Sequence, residues 1–309
     1  MNPHCKSVSR GGCVASLCAA LAVSGILIQP GDSNAQPYDI TGQSTYTMSD
    51  GGSTATVNVS NTGTLGMNSW SVLDQSQLNQ QWFWYSVNGV AQQPVNTIGS
   101  ATVYNVNGNP NLNDLGVVYA NGQLEVDLEY VLTGNGAGSG SADMMEYISI
   151  VNNGLSSINL SFYQYSNFNL LQNNNNTVTI SGSPGAYTGA IQTTGGPGGN
   201  GIAEVIDAPL ANFAEAESTP QTFNELTSGS YYDLNNHTSA GLGDVSWAFE
   251  WTATLQPYGS VDQYGNRTDM LDITKDKGLS IEIVPEPSTL AFVALGMGAL
   301  GLSLRRKLF

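Results

Sequence analysis

The sequence is poor in the residues from which many catalytic and metal sites are built. It has three cysteines, Cys5, Cys13 and Cys18, and two histidines, His4 and His237. Downstream of Cys18 there is no thiol, so disulfides and zinc sites built from several Cys and His ligands are excluded there. A histidine-based triad would have to use His237, whose setting in Asn235–Ser239 is typical of an exposed turn.

Basic residues are also scarce. The chain has 8 Lys and Arg against 24 Asp and Glu. Between Gln36 and Val284 there are 22 acidic residues against Arg267, Lys275 and Lys277, a formal charge of −19. Phosphate binding depends on clustered Lys and Arg, so no nucleic acid is expected as a partner. The acidity suits solubility outside the cell, and calcium binding is the more specific alternative.

Long apolar runs are confined to the two ends of the chain. Near the N-terminus, Lys6 and Arg10 precede an uncharged stretch from Gly11 to Ile28, and small residues follow at Ser33 and Ala35. This pattern predicts a secretory signal peptide over residues 1–35. We expect the export machinery to translocate the chain and signal peptidase to cut between Ala35 and Gln36.

The C-terminal run has a distinctive beginning and end. Pro285-Glu286-Pro287 precedes fifteen uncharged residues, Leu290 to Leu304, and the basic cluster Arg305, Arg306 and Lys307 follows. The prolines favour extended backbone, and as a helix the run would span roughly 22 Å, short of the roughly 30 Å hydrocarbon core. The pattern predicts a short transmembrane helix with its basic end in the cytoplasm. A buried C-terminal helix and a plain membrane anchor are the alternatives, but neither requires Pro-Glu-Pro.

This three-part pattern resembles the PEP-CTERM sorting signal of Gram-negative bacteria. The motif itself is Val284, Pro285, Glu286, Pro287 and Ser288, within a predicted sorting region over residues 284–309. The resemblance implies that the membrane protease exosortase recognises and cuts this region. It also implies that the chain is held transiently in the inner membrane before it reaches the cell surface or the extracellular matrix.

The region from 36 to 283 carries strand patterns. Gln81–Val87 places aromatic side chains on both faces, which favours a central strand covered on both sides. Leu115–Ala120 and Gln123–Leu132 flank Asn121-Gly122, which predicts a hairpin with a type I′ turn. We therefore predict one all-β passenger domain over residues 36–283, an antiparallel β-sandwich or a jelly-roll-like fold.

Other segments complete this prediction. Tyr147–Val151 and Ile158–Tyr165 alternate around Asn152–Gly154 and are predicted to form a second hairpin. Gly182–Gly201 is predicted to be a long surface loop, and Ala208–Glu217 a short helix. The remaining predicted strands are Thr54–Ser60, Thr177–Ile180, Val245–Leu255 and Leu279–Ile283.

A second, looser resemblance covers much of this region. It rests on four aromatic and polar segments, Asp143–Asn152, Phe162–Leu170, Asp244–Trp251 and Thr274–Leu279. Together they are similar to a passenger domain that often precedes PEP-CTERM signals. That resemblance implies a secreted β-domain and no assigned activity, and the acidic loop Asp262–Asp272 is longer than it leads us to expect.

Candidate sites in the passenger region are few. Glu125, Asp127 and Glu129 could supply the acid and base of glycoside hydrolysis, although their i, i+2 spacing is also typical of a solvated strand face. Asn107–Asp114 and Asp262–Asp272 are candidate calcium loops or ordinary turns, and neither matches the EF-hand. The tryptophans could stack on sugars, but their place in or near strong strands favours core packing. These residues are Trp70, Trp82, Trp84, Trp247 and Trp251.

Three function classes follow from these observations. The first is an exported, non-enzymatic surface or matrix protein without a resident cofactor. The second is a carbohydrate-binding module of the exopolysaccharide matrix, assisted by calcium or not. A glycoside hydrolase ranks last, because the sequence offers few converging catalytic groups.

Overall fold

A computed structural model describes residues 37–195 and 200–282 of the chain. The predicted cleavage site at Ala35 and Gln36 lies outside these residues, as do the sorting motif, the apolar run and the basic cluster. Within the two described ranges, no helix is long and apolar enough to cross a membrane. The boundaries predicted at residues 35 and 283 therefore stay predictions.

The described residues form nineteen strands, one α-helix and two short 3₁₀ turns. The helix α1 is Gln221–Leu226, and the 3₁₀ turns are Val95–Thr97 and Leu170–Gln172. The strands are β1 (Tyr38–Asp39), β2 (Thr45–Asp50), β3 (Ser53–Asn58), β4 (Gly66–Val72), β5 (Gln75–Ser76), β6 (Leu78–Val87), β7 (Gln93–Pro94), β8 (Ala101–Asn105), β9 (Asp114–Ala120), β10 (Leu124–Gly134), β11 (Ser141–Asn152), β12 (Ile158–Phe168), β13 (Asn176–Ser183), β14 (Ala186–Thr194), β15 (Gly201–Ala208), β16 (Phe213–Ser218), β17 (Ser239–Gly243), β18 (Val245–Leu255) and β19 (Met270–Ser280).

Two antiparallel sheets contain all of these strands. Sheet I has ten strands in the order β1-β8-β9-β10-β11-β19-β15-β14-β13-β17. Sheet II has nine, with the path β16-β18-β12-β6-β4-β3-β2 and the short strands β5 and β7 beside β4 and β6. Side chains of the two sheets meet in a shared core, which confirms the predicted antiparallel β-sandwich.

Period-two patterning explains how the strands face this core. In β10 the residues Leu124, Val126, Leu128, Tyr130 and Leu132 are buried, whereas the residues between them are half-buried or exposed. The aromatic strand β6 lies between β12 and β4, with Trp82, Phe83 and Trp84 buried. The prediction of a central strand covered on both faces is confirmed.

The predicted second hairpin is wrong. Strand β11 pairs with β10 and β19 in sheet I, whereas β12 pairs with β6 and β18 in sheet II. The Asn152 side-chain amide holds this crossover by donating to the carbonyls of Ser156 at 2.8 Å, Leu255 at 3.2 Å and Gln256 at 2.8 Å. Alternation identifies the buried face of a strand but not its partner, so the crossover had no signal in the pattern.

Two predictions in the Gly- and Ala-rich middle of the chain are also wrong. Much of Gly182–Gly201 is strand, with β14 inside it, because its glycines allow turns and close strand approach. A Cβ at Gly189 would lie 2.0 Å from the Glu204 carbonyl oxygen. Ala208–Glu217 is not a helix; it contains the end of β15 and most of β16, where Ala214 and Ala216 are fully buried in the sheet.

The β9–β10 hairpin forms as predicted, but its turn type was wrong. Neither Asn121 nor Gly122 has a positive φ, so the turn is not type I′. The Asn121 side-chain oxygen instead accepts from the backbone N–H groups of Gln123 at 2.8 Å and Leu124 at 2.9 Å. This side-chain turn closes a longer loop without left-handed backbone. Strand β19 also begins earlier than predicted, at Met270.

A buried charge cluster joins the two sheets. Lys275 and Lys277 on β19 both contact Glu146 on β11, and their Nζ atoms lie 3.3 and 3.5 Å from Glu204 Oε1 on β15. Sheet II completes the cluster with three donors. Gln81 Nε2 donates to Glu146 at 2.7 Å, while Gln164 Nε2 and Trp247 Nε1 donate to Glu204 at 3.1 and 2.9 Å. Two positive and two negative charges therefore cancel inside the core.

Candidate ligand-binding cleft

The tryptophans do not form a platform for sugar stacking, the less favoured of the two alternatives. All five tryptophans are at most 2% exposed, which confirms that they belong to the core. Trp251 also donates its indole N–H to the Pro209 carbonyl at 2.8 Å, and Trp247 is bound to Glu204 as described above. An exposed tryptophan face for sugar stacking is therefore absent from the described part of the chain.

The predicted carboxylate row lies on the outer face of sheet I. Asp127 and Glu129 line a shallow groove of about 200 Å³ with Tyr147 and Asp272, whereas Glu125 does not line it. The Tyr104 hydroxyl lies 2.7 and 2.8 Å from the two oxygens of Asp127 and so occupies that carboxylate. Burial and the charges of Asp114 and Asp127 raise the pKa of Glu129 to about 7. Several acidic side chains therefore line the groove, but Asp127 is already hydrogen-bonded to Tyr104.

The candidate calcium loops use several of their side-chain oxygens internally, whereas Asp114 Oδ1 is buried without a partner. In Asn107–Asp114, the side-chain oxygens of Asn107, Asn109 and Asn113 accept hydrogen bonds from groups within the loop. In Asp262–Asp272, Asp262 accepts from Tyr264 and Asn266, and Asp269 pairs with Arg267 at 2.9 Å. Among the described residues, no group of three or more acidic, His or Cys side chains is arranged to hold a metal. Calcium binding stays a prediction.

His237, the other residue considered for catalysis, has a structural contact. Its Nδ1 lies 2.8 Å from Glu217 Oε1, and its side chain is 55% exposed. Its backbone carbonyl accepts from the Ala216 N–H at 2.7 Å. His237 thus ties an exposed loop to β16, as the prediction of a loop histidine implies.

A cleft lies on the outer face of sheet II, a place that sequence analysis did not identify. It has a volume of about 620 Å³. Phe83 faces sheet I, since Lys275 Nζ lies 5.3 Å from its ring centroid, so the next residue, Trp84, faces outward and lines the cleft. Phe223 of α1 meets Trp84 edge to face, with ring centroids 6.0 Å apart.

Amide and hydroxyl groups provide the polar part of this cleft. Its described lining carries no charged side chain, although the chain is strongly acidic. The lining residues are Gly63, Thr64, Leu65, Gln80, Trp84, Gln92, Gln93, Pro94, Phe223, Leu226, Thr227 and Gly229. The combination of aromatic surface, amides and hydroxyls suits an uncharged, hydroxyl-rich ligand.

Gln92 presents a hydrogen-bond acceptor that the protein leaves without a partner. Its side chain is 4% exposed, and its Nε2 donates to the Tyr232 carbonyl and, at 3.1 Å, to the Tyr163 hydroxyl. A carbonyl can only accept, so the amide orientation is fixed. Its Oε1 is buried and has no partner in the protein. A buried acceptor at the cleft wall is stabilised when a ligand hydroxyl donates to it.

One side of the cleft is formed by residues 219–238, which we call the wall segment. It contains α1 and contributes Phe223, Leu226, Thr227 and Gly229 to the lining. Two buried glutamates of sheet II hold it. Glu215 accepts from Thr222 at 2.6 Å, from Tyr232 at 2.6 Å and from the Asn235 N–H at 3.2 Å, and Glu250 accepts from the Leu234 N–H at 3.1 Å. The sequence signal for these anchors was weak, because Glu215 fell inside the incorrectly predicted helix.

The comparison with protein families identifies the C-terminal region. Residues 284–307 match the PEP-CTERM protein-sorting motif. The suspected sorting signal is therefore confirmed, and the chain carries an exosortase sorting motif that implies export and anchoring at the membrane before processing. No match was found among curated proteins.

Solved structures share only a distant likeness with the chain. A bacterial glucoamylase complexed with acarbose is 8% identical to this chain, with a TM-score of 0.47. The aligned region covers 82% of this chain and 32% of the glucoamylase chain. A putative aldose 1-epimerase from Escherichia coli is 12% identical, with a TM-score of 0.41, and the aligned region covers 79% of this chain and 100% of the epimerase chain. A polysaccharide lyase is 12% identical, with a TM-score of 0.43, and the aligned region covers 75% of this chain and 33% of the lyase chain. The chain thus spans about a third of the glucoamylase, and these likenesses carry no functional argument.

Proposed function

We propose that the exported domain is a non-enzymatic protein of the cell surface or extracellular matrix that binds uncharged polysaccharide in the cleft on sheet II. The predicted signal peptide directs the domain out of the cytoplasm, and the PEP-CTERM motif sorts it afterwards. There, a formal charge of −19 between Gln36 and Val284 disfavours acidic glycans.

The uncharged lining of the cleft is the observation that carries this proposal. In a chain with 24 acidic residues, a cleft of about 620 Å³ without any charged lining selects against ionic ligands. Phe223, half-buried and backed by Trp84, offers apolar surface to the face of a sugar ring. Gln80 and Gln93 offer amide groups to sugar hydroxyls.

Affinity electrophoresis of the mature protein tests this proposal. Native gels containing dextran, soluble starch or a neutral galactan should retard the protein, whereas gels containing alginate should not. The double variant Gln80→Ala/Gln93→Ala should reduce the retardation at least ~5-fold, since each lost hydrogen bond contributes about 1 kcal/mol. Gln256→Ala, an exposed glutamine outside the cleft, is the matched control and should bind as the parent protein does.

The same gels separate the alternative functions. No retardation in any neutral polymer, with or without calcium, would refute the binding proposal. Loss of retardation after chelation would assign the role to calcium-mediated contact. Release of reducing sugar that is abolished by Asp127→Asn or Glu129→Gln would instead place the protein among the glycoside hydrolases.

A further inference from the structure

Carboxylates accept several of the hydrogen bonds that hold the wall segment, beside bonds from Gln92 and Tyr163 to the Tyr232 carbonyl and from Tyr187 to Asn236. Besides the bonds to Glu215 and Glu250, its Asn235 and His237 side chains contact Glu217 at 3.3 and 2.8 Å. Its apolar contacts come from few residues, chiefly Phe223 against Trp84 and Tyr165, and the buried Leu226 and Leu234. Closure of this side of the cleft therefore depends in part on these carboxyl groups.

Glu250 beneath the segment, and also Glu225 of the segment itself, each have a buried oxygen without a donor. Glu250 is fully buried; its Oε2 accepts from the Leu234 N–H, but its Oε1 has no partner. Glu225, on α1 itself, has an unpartnered Oε2, while its Oε1 accepts from Gln221 at 3.4 Å. An ionised carboxylate needs donors on both oxygens, and neither group has them.

The surroundings of both groups are acidic or neutral. Glu250 is faced by Asp233 and Tyr231 of the wall segment and by Ser161 and Tyr163 of β12. Glu225 is faced by Glu215 of β16, by Gln221 on its own helix and by Tyr232. Among the residues that face the two carboxyls there is no Lys, Arg or His, so no positive charge offsets their ionisation.

These surroundings favour the protonated forms while the segment is closed. Burial, with the nearby Asp233, raises the pKa of Glu250 to about 7. Burial and the adjacent Glu215 carboxyl raise the pKa of Glu225 to about 7 as well. In an open segment both groups would titrate near the ordinary value of about 4.3. The closed form is then fully favoured below that pH, and loses stability as the pH rises from there through about 7.

We propose that the wall segment is a proton-controlled gate of the cleft, closed when Glu225 and Glu250 are protonated and released from sheet II when they ionise. The ligand affinity of the cleft then falls as the surroundings change from mildly acidic to mildly alkaline. The pH dependence of ligand affinity rests on the proposed polysaccharide binding, whereas the movement of the wall segment does not.

Hydrogen exchange of the mature protein, followed by mass spectrometry without ligand, measures the gate directly. After correction for the intrinsic pH dependence of exchange, we expect amides of residues 221–236 to lose at least ~10-fold of their protection between pH 5 and pH 8. Amides of β12 and β18 should keep theirs. Equal protection of the wall segment at both pH values would overturn the proposal.

Conservative variants assign the effect to the two carboxyls. Glu225→Gln/Glu250→Gln keeps the side-chain size and removes both ionisations, so protection should be the same at pH 5 and pH 8. Glu250→Gln alone should remove part of the pH dependence, which guards against a double variant that fails to fold. Glu125→Gln, on the outer face of sheet I, should exchange as the parent protein does; a parent-like pH dependence in the double variant would refute the assignment.

Binding to dextran gels at pH 5 and pH 8 separates the two proposals. Retardation that falls several-fold at pH 8 in the parent, but not in the double variant, supports the gate as a regulator of the cleft. A gate seen by hydrogen exchange without any polysaccharide binding would refute the proposed function and leave the gate standing. Polysaccharide binding with an affinity and a hydrogen exchange that do not change with pH would refute the gate and leave the proposed function standing.

Discussion

At the residue scale, two of the three basic residues in the described part of the chain are buried. Of the basic residues in the described part of the chain, Lys275 and Lys277 are inside the core and Arg267 pairs with Asp269. Although burial opposes ionisation, the two lysines lower the pKa of Glu146 to about 2. A buried charge is tolerated only with a partner, so the cluster is stable as a set and costly to break.

Removal of one lysine should therefore destabilise the sandwich strongly. We expect Lys277→Met to lower the free energy of unfolding by about 3–5 kcal/mol, since it leaves the two buried glutamates with one cation. Urea unfolding followed by tryptophan fluorescence measures the change. Lys277→Met/Glu204→Gln restores the charge balance and should lose clearly less; an equal loss in both variants would contradict the charge argument.

The same cluster predicts a pH dependence. The folded pKa of Glu146, about 2, lies below its usual value, so its contribution is present above pH ~4.3 and is lost as the pH falls toward 2. Glu146→Gln should be less stable than the parent at neutral pH, and the difference should shrink on acidification. Thermal unfolding at pH 7, 4 and 2.5 tests this, and a difference that grows in acid would rule it out.

At the element scale, a close approach between a tyrosine and a strand shapes the acidic face of sheet I. Tyr104 of β8 lies over Gly116 of β9 to reach Asp127 of β10, and a Cβ at Gly116 would lie 2.1 Å from the tyrosine ring. The glycine is required here for space and not for a positive φ. Tyr104 can therefore cross β9 only because Gly116 has no side chain.

Substitution of this glycine should displace Tyr104. We expect Gly116→Ala to cost about 1–3 kcal/mol of stability through overpacking and to weaken the hydrogen bonds to Asp127. Gly122→Ala is a matched control, because nothing lies within 4 Å of its Cβ position and its φ is not positive. Denaturant unfolding that shows equal effects for the two variants would contradict the steric explanation.

The crossover between the sheets depends on one amide side chain. Asn152 is 1% exposed, donates to three carbonyls, and accepts from the Gly154 N–H at 3.0 Å. Asn152→Ala should lower the free energy of unfolding by about 2–4 kcal/mol, because buried carbonyls lose their donor. The neighbouring Asn153→Ala, which loses one 3.3 Å side-chain contact, should cost under ~1 kcal/mol. Comparable losses would show that the crossover does not depend on this amide.

At the scale of the whole molecule, the sorting motif and the passenger domain have separate roles. The match at residues 284–307 concerns delivery, whereas all the residues that line the cleft belong to the β-sandwich, from Gly63 to Gly229 in the sequence. Changes to one should therefore leave the other intact.

Processing should depend on the acidic residue of the motif. In a host with exosortase, we expect Glu286→Ala to reduce the processed form at least ~10-fold, while the β-sandwich folds as in the parent. Glu282→Ala, four residues earlier and outside the motif, should be processed normally. Mass spectrometry of the mature protein checks both variants, and an intact C-terminus through Phe309 in the parent protein would refute cleavage.

The sequence by itself determined what depends on local chemistry. The Pro-Glu-Pro motif, the apolar run and the basic cluster follow one another directly in the sequence, so their order alone identified the sorting signal. Period-two alternation likewise predicted the all-β sandwich and the covered central strand β6, since neighbouring side chains on a strand point to opposite sides.

Only the tertiary structure decided which strands pair, and hence where the cleft and the buried charges lie. Gln81, Glu146, Glu204 and Lys277 come from four strands spread over most of the chain and meet because β19 lies between β11 and β15. Trp84, Gln92 and Phe223 are brought together in the same way across sheet II. Alternation tells which face of a strand is buried, but pairing depends on contacts between distant residues, and no local pattern records them.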